Sequence, residues 1–321
     1  MTSNGAPPPL KVALERKSFP QWLCRALPPI VSFRLATRIF LRKRTAAGEI
    51  FVTSTITGAL FSFRSGDVLA DQVRMCGFWD WRSLAIAVTF CSPGDTIIEV
   101  GANSGTETVG FAQIVGPGGR VVAFEPLPAI ADSLRHNVDI NGFANVATVE
   151  AAVTDFDGNV SIQPPSARNS GQGFMTTGSS DAGISVVAVT LDSMIDKLGA
   201  AALMLVDVEG HEVSVLRGAA EYIRRFRPPL IVEAVAAQLA RAGSSLEELG
   251  RQLASQGYTV FQINRISVTK PDLDRCDEHY HQNWLCIPNG RSGMTKRVNA
   301  FFKACAFLPK PFQPLNLKKV R

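Results

Sequence analysis

The chain has no run of 18 uninterrupted apolar residues, so it offers no segment of the length that a membrane-spanning helix needs. Its six cysteines, at positions 24, 76, 91, 276, 286 and 305, form no C-x-x-C pair and no evenly spaced framework. That pattern predicts reduced thiols and a cytoplasmic setting rather than a disulfide scaffold. Met1 to Pro9 is polar and proline-rich, so no secretory signal is expected there. A G-x-x-x-x-G-K-[ST] phosphate loop is missing, and a G-x-G-x-x-G fingerprint begun at Gly101 fails at Asn103 and Thr106. Nucleotide triphosphate and dinucleotide sites of those kinds are thereby disfavoured. At 321 residues the chain can still bury a sizeable core, and its composition is that of a globular enzyme.

What is present is a strand-turn-helix with an acid inside it. Thr96 to Val100 is apolar and β-branched, and it follows the turn residues Pro93-Gly94-Asp95. It carries Glu99 into Gly101-Ala102-Asn103-Ser104-Gly105, and from Thr106 to Val115 apolar residues recur at helical spacing. Gly101 and Gly105 would let backbone approach a ligand closely, with a helix amino end behind them. A second strand, Arg120 to Phe124, ends in Glu125-Pro126. An acid at the tip of a second strand is where a ribose diol needs an acceptor, the alternative being a solvated strand-end carboxylate. Ile130 to Asn141 reads as a helix and Ala147 to Val153 as a third strand. Asp155 beyond it either accepts from an exocyclic adenine amine or is an ordinary turn aspartate.

A fourth strand, Ala202 to Val206, runs into Asp207, Glu209, His211 and Glu212, the densest cluster of ionisable groups in the chain. A fifth, Leu230 to Val232, ends at Glu233. Open α/β sheets bind ligands at the carboxyl ends of their strands, so Asp207 and Glu209 should face the cleft that holds Glu99 and Glu125. A catalytic magnesium held by Asp207 and Glu209 is conceivable, as carboxylates suit it, yet nothing in the sequence requires it. Cys276, His279, His281 and Cys286 lack the paired spacing of structural zinc and read as a coincidence. No metal site is therefore assigned.

These segments together resemble the FkbM family of methyltransferases. The resemblance rests on Glu99-Val-Gly-Ala-Asn-Ser-Gly105, Val122-Ala-Phe-Glu-Pro126, Leu134-Arg-His-Asn137 with Asn141-Gly142, Ala152, Thr190-Leu-Asp192, Asp207-Val-Glu-Gly210 and Leu216-Arg-Gly218. It spans about residues 71 to 235. It implies S-adenosylmethionine as cofactor, bound by Glu99, Gly101, Ala102, Asn103, Gly105, Glu125, Pro126 and Asp155, and O-methylation of a hydroxyl on a small molecule, sugar or glycolipid. An alcohol nucleophile gains from a base, and Asp207, Glu209 and His211 are the candidates. The family usually has a lysine two residues before the aspartate of its D-x-E-G motif, and here that position is Leu205. The alternative is a catalytically silent module recruited to a partner or membrane. The expected fold is α/β: a Rossmann-like, doubly wound, seven-stranded, mostly parallel sheet with helices on both faces and an antiparallel last strand. Residues 71–290 would form that domain, with a basic hairpin-bearing extension at 1–70 and a basic amphipathic tail at 291–321.

Charge is segregated. Residues 1–44 carry nine basic side chains against Glu15 alone, and residues 291–321 carry eight with no acid. Since the whole chain is only +5, the 246 residues between carry a net charge of −11. Both ends interleave bases with apolar residues such as Trp22, Phe301, Phe302 and Phe312. That mixture suits helices packed on the domain with basic faces in water, or a peripheral membrane contact; nucleic acid is the weaker reading. Gln163 to Gly183, rich in Ser, Gly, Thr and Pro, reads as an irregular loop: an acceptor lid gripping through Phe174 and Met175, or mere disorder.

Overall fold

The computed structural model describes residues 17–40, 49–164, 174–175, 183–272, 280–291, 293–308 and 312. Two short helices, α1 (Phe19–Ala26) and α2 (Pro29–Leu35), open it, followed by a π-helical turn, Ala36–Phe40. Strands β1 (Ile50–Ser54) and β2 (Leu60–Arg64) pair as the expected antiparallel hairpin. Helices α3 (Val68–Cys76) and α4 (Trp81–Phe90) lead to β3 (Thr96–Val100), α5 (Thr108–Val115), β4 (Arg120–Phe124), α6 (Pro128–Asp139) and β5 (Val146–Val149). A side sheet follows: β6 (Ala152–Val153), β7 (Gly158–Gln163), β8 (Phe174–Met175) and β9 (Ile184–Val189). The chain returns through α7 (Ile195–Leu198), β10 (Leu203–Val206), α8 (Glu212–Arg217), α9 (Ala220–Phe226), β11 (Leu230–Val235), α10 (Ala236–Arg241) and α11 (Leu246–Ser255). It closes with β12 (Tyr258–Ile263), β13 (Val268–Thr269), β14 (His281–Pro288) and α12 (Met294–Phe307).

The main sheet has the order β13-β12-β14-β11-β10-β3-β4-β5. Strand β14 inserts antiparallel between β11 and β12, as expected for the last strand. The two-residue β13 adds an eighth strand at the edge, which the sequence reading did not contain. Alternation along the strands sorts the two cores. Ile97, Leu203, Leu205, Ile231 and Leu285 pack with α4, α5 and α12, whereas Ile98, Met204, Val206, Leu230 and Val232 pack with α8, α9 and α11. The sheet is thus covered on both faces.

Two boundaries differ from the sequence reading for local reasons. The third strand, expected as Ala147 to Val153, breaks after Val149: its first half pairs with β4 and its second crosses to the side sheet beside β9. The fifth strand runs on past Val232 because Glu233, Ala234 and Val235 continue the ladder with β14. The capping serine of α11 is Ser245, whose Oγ accepts from the Glu248 N–H at 3.2 Å, while Ser244 donates to the Glu248 carboxylate. In the polar stretch 163–183, Phe174–Met175 pairs with β7; residues 165–173 and 176–182 lie outside the described residues, as do the side chains of the proposed lid.

The basic ends are partly internal. The Arg25 guanidinium donates to Thr53 Oγ1 at 2.8 Å, to the Val73 and Arg74 carbonyls at 2.9 and 2.8 Å, and to that of Ser54. It therefore clamps α1 and α3 to the hairpin. Helix α12 lies on α4, where Phe302 meets Trp81 at a ring separation of 5.4 Å. Phe19, Trp22, Val31, Phe33 and Phe307 remain exposed. Among the described residues no helix is long and apolar enough to cross a membrane. Five cysteines, Cys24, Cys76, Cys91, Cys286 and Cys305, are buried and free. Cys276 and His279 lie outside the described residues.

Candidate active site

Strand register places the acids. In-register neighbours share a face, so Glu99 lies beside Leu205 of β10 and Ala123 of β4 on the side covered by α4 and α5. Glu233 has the parity of Ile231 and pairs with Asn283 of β14 on that same face. The strand ends therefore converge under the amino end of α4. They line a cavity of about 570 Å³, a size suited to a small-molecule ligand.

One end of the cavity is built by the glycine turn. Gly101 adopts φ +87°, and a Cβ there would overlap the Asp207 carbonyl oxygen. Its need for glycine thus comes from close packing of β3 on β10. A Cβ on Gly105 would meet the Leu134 side chain at 2.6 Å, again a packing demand. Asn103 takes the left-handed φ of +49°, uncommon outside glycine but tolerated by Asn. Its N–H donates to Glu125 Oε2 at 3.0 Å, while Glu125 Oε1 accepts from the Leu127 N–H at 2.9 Å. Glu125 is 6% exposed, and burial pushes its carboxyl up to about 7. A carboxylate has about four lone-pair sites, so two N–H donors orient it while leaving acceptor capacity for a ligand. Ala102, Pro126, Leu127, Ala151, Ala152 and Val153 supply the apolar wall beside it.

The other end is acidic. Glu99 is 1% exposed and accepts from Thr108 Oγ1 at 2.6 Å; burial holds its carboxyl well above the usual range. Glu107, bonded by Thr106 and by the Asp80 N–H at 3.3 Å, is pushed by burial to about 7. Asp207 is raised by burial, an effect opposed by its contact with Glu233 and by the neighbouring His281. Glu209 sits at φ +55° with its carboxylate bonded to Gln238 Nε2, and burial and Asp207 raise it to about 8. Asp80, Glu99, Glu107, Glu125, Asp207, Glu209 and Glu233 all line the cavity. Among the described lining residues the only guanidinium is that of Arg82, which is paired with Asp80 at 2.8 Å.

Of the residues named from sequence, Glu99, Gly101, Ala102, Asn103, Glu125, Pro126, Asp207 and Glu209 line this one cavity. Gly105 packs behind the turn, Asp155 is exposed beside Thr154, and His211 caps the backbone of α8 without lining the cavity. The imidazole that does line it is His281, opposite Val235 in the β11–β14 ladder. Asp80, Glu107, Gln238, His281 and Asn283 were not singled out as cleft residues. Asp80 comes with the docking of α4, and His281 and Asn283 with the insertion of β14, whereas Glu107 follows the glycine turn and Gln238 lies on α10. Two sequence motifs turn out to be braces. Asn137 Oδ1 accepts from Ser62 N–H at 2.7 Å, and its Nδ2 donates to the Ser104 carbonyl at 2.9 Å. Asn141 pairs both ways with Leu60, at 2.7 and 2.8 Å, so α6 ties the hairpin to the glycine turn. Glu212 Oε1 accepts from the Val208 and Gly210 N–H groups, holding the loop that carries Glu209.

A doubly wound sheet with an acid at the second strand tip and further acids at the fourth and fifth is an α/β fold of the methyltransferase type. Residues 99–260 match the methyltransferase FkbM domain model, and the chain belongs to that family. A hexuronic acid methyltransferase, AglP of Haloferax volcanii, is 31% identical over 127 residues, 39% of this chain and 49% of that protein. Protein-L-isoaspartate O-methyltransferase of Aeropyrum pernix is 41% identical over 63 residues, 20% of this chain and 24% of its own. The chain thus spans between about a quarter and a half of these curated relatives. Among solved structures, an FkbM methyltransferase of Methylobacillus flagellatus aligns with TM-score 0.41 at 16% identity, over 68% of this chain and 55% of that one. The TYW2 protein of M. jannaschii in complex with AdoMet aligns with TM-score 0.43 at 13% identity, over 77% of this chain and 90% of that one.

Proposed function

We propose that the protein transfers the methyl group of S-adenosylmethionine to a hydroxyl of a saccharide, free or lipid-linked. The observation that carries the reading is one cavity with Glu125 oriented at one end and Asp207, Glu209 and Glu233 gathered at the other. When bound, S-adenosylmethionine supplies an electrophilic methyl whose C–S bond breaks with the electron pair going to sulfur.

The chain's own residues do the rest. Glu125, fixed by two backbone donors, offers its free lone pairs to a ribose diol, and the alanine-rich wall from Ala151 to Val153 offers an apolar surface to adenine. The acidic lining favours a cationic ligand over an anionic one. Gln72, Gln238, His281 and Asn283 line the far end and provide donors and acceptors suited to a polyhydroxylated acceptor. Its hydroxyl proton passes to the carboxylate cluster, whose raised affinity for protons brings it near neutral pH, where a base works best. Holding two reactants in attack geometry is worth about 7–11 kcal/mol, so positioning is the larger contribution. The name of the hexuronic acid relative supports a sugar acceptor.

Calorimetric titration with S-adenosylhomocysteine, together with radiolabelled methyl transfer to a panel of uronic acids and hexoses, tests the reading. Binding in the wild type, weakened at least tenfold in Glu125→Ala, is expected. Undiminished binding in Glu125→Ala would sink the cofactor assignment.

A further inference from the structure

The carboxylates of Asp207, Glu209 and Glu233 converge although they come from three different backbone settings: a strand end, a left-handed loop residue and the middle of β11. Their facing oxygens all lie within 4.8 Å of one another. An oxygen-bound divalent ion has metal–oxygen distances of about 2.0–2.6 Å, so two oxygens across it are separated by about 4.0–5.2 Å. A ceiling of 4.8 Å on their mutual distances is compatible with three oxygens meeting one such ion. We infer that these three side chains form a divalent-cation site.

Two further observations point into the cluster. Glu233 is 7% exposed, and its Oε2 is buried without a hydrogen-bond partner. Burying an acceptor oxygen unpaired is costly, and a cation removes the cost. Gln238, which lines the same cavity and donates to Glu209, has a buried Oε1 also without a partner, a fourth oxygen of the kind such ions take. The surroundings offset the carboxylates' charge only in part: the Arg241 guanidinium lies 3.8 Å from the Glu209 carboxylate and His281 neighbours Asp207, whereas Arg82 is engaged by Asp80, and Leu205, the in-register neighbour of Glu99, is apolar. The competing arrangement is a proton shared between Asp207 and Glu233, which satisfies two of the three carboxylates and leaves Glu209 to Gln238. All-oxygen donors select magnesium, manganese or calcium over zinc or copper. The site lies in the part of the cavity assigned above to the acceptor, and only its role in the reaction rests on that reading.

The test uses the full-length chain, stripped with chelator, and Mn²⁺ alone as the probe, followed by the loss of the free-ion electron paramagnetic resonance signal. One Mn²⁺ per chain is expected, displaced by Mg²⁺ or Ca²⁺. Affinity should fall at least tenfold in Glu233→Gln and in Asp207→Asn, with S-adenosylhomocysteine binding retained in both. Should Glu233→Gln not fold, Glu209→Gln, nearer the mouth, carries the same expectation. No saturable Mn²⁺ binding by the wild type, or binding unchanged in the folded variants, would overturn the inference in favour of the shared proton. Loss of S-adenosylhomocysteine binding in the wild type would instead count against the methyl-transfer reading and leave the ion result standing.

Discussion

Gly101→Ala separates packing from backbone strain. Gly101 and Gly94 both have positive φ, +87° and +98°, but a Cβ on Gly94 meets nothing within 4 Å whereas one on Gly101 overlaps the Asp207 carbonyl oxygen. Either substitution forces an L-residue into a left-handed backbone, at about 1–2 kcal/mol. Only Gly101→Ala must also drive the ends of β3 and β10 apart by about an ångström to restore an ordinary contact. That movement strains the Asp207 N–H to Val100 carbonyl bond and the Gly101 N–H to Phe124 carbonyl bond, both 3.0 Å. Each backbone bond is worth about 0.5–1.5 kcal/mol net, so the expected loss is about 2–5 kcal/mol for Gly101→Ala against about 1–2 for Gly94→Ala. Urea unfolding of the three proteins, fitted with a common slope, gives the difference directly. If the two variants unfold within about 0.5 kcal/mol of each other, the contact between the strands does not explain the glycine.

Three other outcomes follow from the same geometry. Asn137→Ala removes the amide that links Ser62 to Ser104 and should cost about 2–4 kcal/mol in unfolding free energy, with weaker S-adenosylhomocysteine binding in the folded protein; unchanged affinity would mean the hairpin does not support the turn. Arg25→Ala should lower stability by about 3 kcal/mol in thermal or urea unfolding while sparing S-adenosylhomocysteine affinity, because its carbonyl partners lie away from the cavity. Glu107, Glu125 and Glu212 are each raised to about 7 in the folded state, so that state holds more protons than the unfolded chain between pH 4.5 and 7. Their stabilising contribution is complete below pH 4.5 and is lost as pH rises through 7. The ligand-free protein should therefore lose at least about 1.4 kcal/mol per pH unit across that window in urea titrations; a flat or rising profile would refute the burial of these acids.

The main sheet was legible because its strands are short apolar runs that end in acids or glycines, and those endings coincide with the ends of β3, β4 and β10. The side sheet was not, since β7 and β9 mix polar and apolar residues with only half-buried faces. Glu233 was placed at a strand end because the apolar run stops at Val232; the ladder with β14 extends the strand in spite of the charge. His211 stood out by its place in the D-x-E-G segment, yet α8 begins there and uses it at its amino end. His281 had no local signal. Its position in the cavity follows from the insertion of β14 between β11 and β12, a pairing across sequence separations that periodicity does not encode.

Motif residues also divided between chemistry and bracing in a way the sequence alone does not reveal. Glu99 illustrates why. A buried strand acid reads as a ligand contact, and it does line the cavity, but Thr108 takes one of its oxygens and Leu205 lies beside it in register. With no ammonium group available from position 205, the carboxylates at the strand ends must resolve their mutual repulsion by other means. Glu107 and Glu125 do so by accepting backbone N–H bonds, and Glu209 by taking Gln238. Asp207 and Glu233 have each other, the neighbouring His281 and whatever positive species enters the cavity. A proton, a sulfonium and a divalent ion each answer that need. The arrangement therefore ties the charge state of the site to the charge of the ligands it accepts, and the cationic cofactor should bind with a steeper dependence on pH than a neutral analogue, its affinity rising as the acids ionise.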